Sequence, residues 1–200
     1  MHNALVNNSY QAVVVGGSAG SLTALGTLLN GLPADFGLPI IVVLHTGASD
    51  MSDTVILLSR HSKLRVSEAR EREEILPGRV YLAPGRYHLL IERDRHFSLS
   101  ADARVRYSRP SIDVLFESAA DAYKNKLIAV VLTGANEDGA AGAARIKSLG
   151  GVVLVQDPKT AESATMPEST IASAHPDWVG SMDKMSQQLI DVARSPCEAF

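Results

Sequence analysis

The sequence has a single cysteine, no long apolar run and no excess of basic residues. Cys197 is the only cysteine in 200 residues, so no internal disulfide can form. No export signal opens the chain, and with no cysteine framework the expected compartment is the cytoplasm. The longest apolar runs, at 39–44 and 127–132, are too short to cross a bilayer. Lys and Arg number 19 against 22 Asp and Glu, so nucleic acid is not an expected partner.

The apolar content is high enough for one well-filled core. Apolar residues make up 46% of the chain, which predicts a single domain over residues 1–200. Its core is expected at roughly 12–180, followed by a C-terminal helix at 182–194.

Short Val/Ile/Leu runs alternate with longer segments of helical period. Such runs are typical of strands buried on both faces, and the alternation predicts an α/β fold, doubly wound, with a mainly parallel sheet and helices on both faces. Residues 80–100 break the alternation and predict an antiparallel β-hairpin insertion. The charged stretch at 68–74 is expected to be a solvated loop or a sheet edge. The predicted strands are Ala12–Val15, Ile40–Leu44, Leu64–Ser67, Val80–Ala83, Leu127–Thr133 and Val152–Gln156. The predicted helices are Ser21–Leu32, Ser52–His61, Ile112–Tyr123, Gly139–Ser148, Pro167–Ser173 and Met185–Arg194.

The first predicted strand runs into a glycine-rich turn, Gly16-Gly17-Ser18-Ala19-Gly20. The glycine spacing does not fit a dinucleotide fingerprint, and the turn has no lysine for a P-loop. It does match G-x-S-x-G, the strand-to-helix elbow that exposes a serine nucleophile. The alternative is a plain turn in which Ser18 only caps the following helix.

Two further residues lie where a serine nucleophile would need them. His45 directly follows the second predicted strand, and Asp138 follows the strand at 127–133. Because parallel strands end at one edge of a sheet, Ser18, His45 and Asp138 are expected on the same rim, with the histidine as base and the aspartate orienting it. His45 as an ordinary loop residue and Asp138 as a simple helix cap are the alternatives.

The chain resembles the catalytic domain of the CheB-type protein-glutamate methylesterases over roughly residues 12–180. Six ordered blocks carry the resemblance: VVVGGSAGS (13–21), VLHTG (43–47), PGRVYLAPGRYHLLI (77–91), RPSIDVLFESAA (109–120), VVLTGANEDGAAG (130–142) and TMPEST (165–170).

The resemblance implies that Ser18, His45 and Asp138 form the triad of a serine esterase. The reaction would hydrolyse glutamyl methyl esters on a chemoreceptor-like protein and release methanol, with glutamine deamidation as a related activity. No metal and no cofactor are implied, and a membrane would be involved only through the receptor. The amide of Ala19 is the expected first oxyanion donor, and the second is expected around Ala135.

Three departures from the family qualify that expectation. Ala135 replaces a usual methionine, Ser21 replaces a usual glycine, and the loop after His45 reads TGASDM. The stretch before the first strand is too short for the receiver domain that typical members carry, so the sequence is either a trimmed piece of a longer protein or, as we expect, a stand-alone esterase regulated in another way. The altered lining favours, as an alternative, a signalling module that keeps the fold but has weak or no activity.

Overall fold

Nine strands and six α-helices lie along residues 9–47 and 50–196, the part of the chain that the computed structural model describes. Cys197 and two positions of the loop after His45 lie outside the described residues. The strands are β1 (Ala12–Gly17), β2 (Ile40–Leu44), β3 (Arg65–Glu68), β4 (Arg79–Leu82), β5 (His88–Ile91), β6 (Phe97–Ser100), β7 (Leu127–Val131), β8 (Val152–Gln156) and β9 (Trp178–Gly180). The helices are α1 (Ser21–Gly31), α2 (Ser52–His61), α3 (Ile112–Tyr123), α4 (Ala140–Ser148), α5 (Thr165–Ala174) and α6 (Met182–Arg194), with 3-10 turns at Lys124–Lys126 and Pro158–Thr160. No helix in the described ranges is long and apolar enough to cross a membrane.

Seven of the strands form one parallel sheet in the order β3-β4-β2-β1-β7-β8-β9, and β5 and β6 form a separate antiparallel pair. The predicted doubly wound α/β fold with a hairpin insertion is therefore confirmed. The sequence did not predict β9, which is only three residues long and leaves Val179 exposed.

β1 lies at the centre of the sheet, between β2 and β7. The chain first builds outward from β1 through β2 and later returns to place β7 on the other side. This reversal makes the carboxyl ends of β1 and its two neighbours a topological switch point, where ligands bind in open α/β sheets.

Each face of the sheet has its own apolar core. Val13 and Val15 of β1 point into the core beneath α1 and α6, whereas Ala12 and Val14 point into the core beneath α3 and α4. All four side chains are fully buried, and each buried valine contributes about 1.5–3 kcal/mol. These two cores hold β1 rigidly, so the turn that follows it has a fixed position.

Candidate active site

Ser18 lies between the ends of the two strands that flank β1. Gly17 pairs with Leu44 of β2, and its carbonyl accepts a hydrogen bond from the His45 amide at 3.0 Å. On the other side, the Ser18 amide donates to the Thr133 carbonyl at 3.0 Å. Ser18 and His45 thus take up the next register position on adjacent parallel strands.

Ser18 is half-buried, and its side chain does not cap α1. The N-cap residue of α1 is Gly20, whose φ of 76° is left-handed, and no side chain bonds to the free amides of that helix end. A side chain at Gly20 would also collide with Glu162. The capping alternative for Ser18 is therefore wrong. Its hydroxyl makes no hydrogen bond to any residue of the described ranges, His45 included.

Ser21 fixes the direction of the Ala19 amide. The Ser18 carbonyl accepts hydrogen bonds from both the backbone amide and the hydroxyl of Ser21. In a trans peptide the N–H points opposite to the carbonyl, so the Ala19 N–H is directed away from α1. Within the described chain that N–H has no hydrogen-bond acceptor. Ser21 is 2% exposed, and its role in the turn accounts for a hydroxyl at this position.

The Ala135 amide is arranged in the same way. The Gly134 carbonyl accepts a hydrogen bond from the Met166 amide at 2.9 Å, so the N–H of Ala135 points away from α5. It too has no acceptor among the residues described. Thr133 links the two turns, because its hydroxyl donates to the Ala19 carbonyl at 2.9 Å.

His45 and Asp138 are in direct contact. Nε2 of His45 lies 2.9 Å from Oδ2 of Asp138, and the two side chains are 12% and 0% exposed. The carboxylate oxygen lies off the direction of the ring N–H, so the contact is an electrostatic pairing more than a straight hydrogen bond. The structure brings these two sequence-predicted residues together.

The N-terminus of α3 holds the Asp138 carboxylate. It accepts hydrogen bonds from the Ser111 hydroxyl at 2.8 Å, the Ile112 amide at 2.7 Å and the Asp113 amide at 3.0 Å. Burial acts to raise the pKa of Asp138, but the His45 ring and these donors outweigh burial and hold the pKa below its usual value. The carboxylate therefore stays ionised. Asp138 does not cap its own helix α4, whose N-cap residue is Gly139, so the simple-cap alternative is wrong.

Asp113 makes the reciprocal contact. It lies in the first turn of α3, and its carboxylate accepts hydrogen bonds from the Gly139 and Gly142 amides of α4 at 3.0 and 2.8 Å. Asp138, which precedes α4, thus binds the amides at the N-terminus of α3. Asp113 of α3 in turn binds the amides at the N-terminus of α4. Burial raises the pKa of Asp113, and the opposing hydrogen bond from Gly142 does not overcome it.

Gly16 and Gly139 leave space for the side chain of Ile112, whose backbone amide donates to Asp138. A side chain at Gly16 or Gly139 would overlap Ile112. Ile112, Leu115 and Phe116 are fully buried, as expected for core residues of the α3 segment. The close packing of Ile112 against both glycines sets where the α3 amides meet Asp138.

Asn136 is a site residue that sequence reasoning missed. Its side-chain amide lies 3.3 Å from Nδ1 of His45, and its oxygen accepts a hydrogen bond from the Asp138 amide at 3.1 Å. In the tautomer that carries the proton on Nε2, which faces Asp138, Nδ1 is the acceptor for the Asn136 amide. The pattern LTG-x-x-x-DG gave no signal for this contact, because Asn136 occupies one of its variable positions.

His88 is a second residue whose position the sequence left open. It is 2% exposed; Nδ1 accepts a hydrogen bond from the Ser111 amide at 3.2 Å, and Nε2 lies 3.1 Å from the Ala103 carbonyl. His88 therefore ties the hairpin to the N-terminus of α3. Tyr87 beside it is 44% exposed. Among the described residues no group of three or more His, Cys, Asp or Glu side chains is arranged to hold a metal ion.

Comparison with known proteins identifies a family that this chain matches. The family model for the CheB methylesterase matches residues 13–189. A Leptospira interrogans protein named "Putative protein-glutamate methylesterase/protein-glutamine glutaminase" is 48% identical over 190 residues, which are 95% of this chain and 98% of that protein. A protein-glutamate methylesterase/protein-glutamine glutaminase of Thermotoga maritima is 36% identical over 92% of this chain, and the match spans 54% of the relative.

A solved structure agrees with these matches. The crystal structure of the Thermotoga maritima CheB methylesterase catalytic domain superposes with a TM-score of 0.87 at 36% identity, and the match covers 92% of this chain and 98% of that one. With a family model that matches most of the chain and a relative of nearly the same length, the chain belongs to the CheB methylesterase family.

Proposed function

We propose that this protein is a serine esterase that hydrolyses γ-glutamyl methyl esters on a chemoreceptor-like protein, with Ser18, His45 and Asp138 as its triad. The observation that carries the proposal is the fully buried, ionised Asp138 in contact with His45, at the strand end next to Ser18. An ionised carboxylate in that place orients the imidazole and stabilises the imidazolium that forms.

His45 acts as the base through Nδ1, because Nε2 faces Asp138. As Ser18 Oγ attacks the ester carbonyl carbon, its hydroxyl takes the place of the Asn136 amide at Nδ1, and Nδ1 takes the hydroxyl proton. The hydroxyl has no hydrogen bond in the free protein, and it reaches the ring as the ester binds; such contacts commonly tighten only in the substrate complex.

The amides of Ala19 and Ala135 stabilise the negative oxygen of the tetrahedral intermediate. Both N–H groups have no acceptor in the described chain, and both peptides are fixed by hydrogen bonds on the carbonyl side. Donors that are already oriented need no reorganisation during the reaction, and one such donor is worth about 3 kcal/mol of barrier.

The intermediate collapses with cleavage of the bond to the methoxy oxygen. Nδ1–H of His45 returns its proton to that oxygen, methanol leaves, and Ser18 remains acylated. His45 then removes a proton from water as the water oxygen attacks the acyl carbon. The ring returns this proton to Ser18 Oγ as the bond from Oγ to the acyl carbon breaks, and the glutamic acid product loses its proton to solvent. Glutamine deamidation follows the same steps with ammonia as the leaving group.

Methanol release from methylated receptor membranes tests the proposal. We expect release with the wild-type protein and none above background with Ser18→Ala. Labelling of Ser18 by a fluorophosphonate probe, lost in His45→Ala, tests the nucleophile separately. If neither methanol release nor labelling occurs at any pH, the inactive signalling module is the correct reading.

A further inference from the structure

A cleft of about 500 Å³ opens beside His45, on the side of β2 away from β7. Its floor is the end of β2, and its walls are the turn after β4 and the segment 104–110. Ser18 is not part of the lining. The lining residues are Leu44, His45, Thr46, Gly47, Met51, Ala83, Gly85, Arg86, Arg104, Tyr107, Ser108, Arg109 and Pro110.

The lining carries positive charge and no negative charge. Arg86, Arg104 and Arg109 contribute to it, and no Asp or Glu of the described chain does. The whole protein has a formal charge of −3, so the positive cleft is a local feature.

The charges of these three arginines are not neutralised by nearby carboxylates. No ion pair of the described chain includes them, and Arg104 and Arg109 donate only to backbone carbonyls. Arg106 lies in the same segment but does not line the cleft, and it pairs with both Asp113 and Glu137. The segment thus pairs Arg106 with carboxylates and leaves Arg104, like Arg86, without a carboxylate partner in the described chain.

The wall that bears the arginines is anchored. Arg109 donates to the Ala101 and Asp102 carbonyls at 2.6 and 2.7 Å, and its Nε is buried without a partner in the described chain. His88 fixes Ala103 to the hairpin. Arg86 has a left-handed φ of 74°, a conformation that an arginine adopts only at some cost and that is often kept at functional sites.

We propose that this cleft binds acidic side chains that flank the methylated glutamate in the substrate, so that the protein selects ester groups within acidic peptide segments. Guanidinium groups bind carboxylates with two parallel hydrogen bonds, and unpaired ones avoid the cost of breaking an existing ion pair. This inference rests on the proposed function and defines its substrate class.

The cleft suits a flanking residue and not the reacting ester. The ester is neutral and must lie at Ser18, which is outside the lining. His45 lines the cleft, so a flanking carboxylate bound in the cleft lies next to the residue that acts on the ester.

Synthetic peptides with one γ-methyl glutamate test the inference. Three versions carry Glu, Gln or Lys at the flanking positions, and methanol release gives kcat/KM for each. We expect kcat/KM for the Glu version to exceed that for the Gln version by about tenfold at low salt, mainly through KM, with the Lys version lowest. The preference should shrink as the salt concentration rises.

Variants of the cleft arginines test whether the cleft causes the preference for Glu over Gln at the flanking positions. Arg86→Gln and Arg104→Gln should each reduce the Glu-to-Gln preference by about threefold. Arg93→Gln removes the same charge from an exposed position outside the cleft and should leave the preference intact. An equal loss in all three variants would assign the preference to overall charge and overturn the inference.

Peptide binding, measured apart from hydrolysis, tests the cleft inference independently of the proposed esterase activity. Peptide affinity for the Ser18→Ala variant, measured by fluorescence anisotropy, does not need turnover. If peptides are cleaved with equal kcat/KM whatever their flanks, the inference fails and the esterase stands. If no peptide is cleaved, the esterase proposal fails, and equal affinity of all three peptides would then refute the cleft as an acidic-peptide site as well.

Discussion

The two sides of His45 differ in burial and in ion pairing. On the α3–α4 side, Asp138 is fully buried and each of its oxygens has partners. On the cleft side, Arg86 and Arg104 are exposed and have no ion pair within the described chain. Groups whose geometry must not change are buried and fully bonded, whereas groups that must exchange water for a ligand are kept accessible. We therefore expect substitutions on the first side to change kcat and those on the second to change KM.

The largest effect should come from Ser18, the proposed nucleophile at the strand end next to His45. Ser18→Ala removes the nucleophile, and kcat for methanol release should fall by about a millionfold, as for other triad serines. Ser59→Ala is the control, because its hydroxyl is exposed and bonds only to the Val55 carbonyl of its own helix. Residual activity within about a hundredfold of wild type would show that another nucleophile acts.

Asp138→Asn tests the buried side directly. The change keeps the shape but removes the charge, so kcat should fall by about 10⁴-fold. It also turns an NH₂ group toward donors at the α3 N-terminus, so the melting temperature should fall too. Kinetics are measured at a temperature where circular dichroism confirms folding. A change confined to KM would contradict the division between the two sides.

Asn136 allows a finer test, because it contacts His45 at Nδ1, the nitrogen proposed as the base. Asn136→Ala removes this contact, so the ring is held less well and kcat should fall about threefold with KM unchanged. Asn136→Asp keeps the shape of the side chain but replaces its NH₂ donor with an acceptor, so it loses the same contact and should lower kcat at least as much. Asn30→Ala, on the exposed side of α1, is the control. A kcat equal to that of wild type in both Asn136 variants would rule out the contact as a positioning interaction.

The smallest expected effect is a difference in stability between the two aspartates. The raised pKa of Asp113 means that its contribution to stability is present at low pH and is lost as pH rises through the folded-state value. The lowered pKa of Asp138 means the reverse: its contribution is present above the unfolded-state value of about 4 and is lost as pH falls. From about pH 3 to pH 7, the melting temperature relative to wild type should rise for Asp113→Asn and fall for Asp138→Asn.

Thermal unfolding at several pH values measures these slopes. If the melting temperature relative to wild type changed with pH in the same direction for both variants, the opposite pKa shifts of Asp113 and Asp138 would be contradicted. The kcat of Asp113→Asn should remain far above that of Asp138→Asn, because Asp113 faces α4 and not His45.

The sequence predicted the main sheet well because its strands are buried on both faces. β1, β2 and β7 read as continuous apolar runs, and all of their residues are buried. β9 could not be read in this way, since it has three residues and pairs only at the sheet edge. The hairpin lay within the expected 80–100 region, but β4 there belongs to the parallel sheet.

At the site, the sequence predicted the residues that follow strand ends. It did not predict contacts between residues that are far apart in the chain. His45 and Asp138 were predicted because parallel strands share an edge, and the structure brings them into contact. Asn136 and Arg104 carry no periodic or motif signal. His88, Arg86 and Arg109 lie within the family blocks, but their contacts come from loops whose path only the folded chain sets. Ser111 caps α3 within its own turn, yet it also donates to Asp138 across 27 positions of the chain.

The exchange of Asp113 and Asp138 between α3 and α4 makes two helix ends one cooperative unit. Neither first turn can fray without removing a carboxylate from the other helix, so local opening of either should expose both sets of amides to solvent exchange together. The catalytic geometry would then be lost in one step, while the sheet beneath stays folded. A binding partner that loosened either helix end could therefore switch off hydrolysis without touching Ser18.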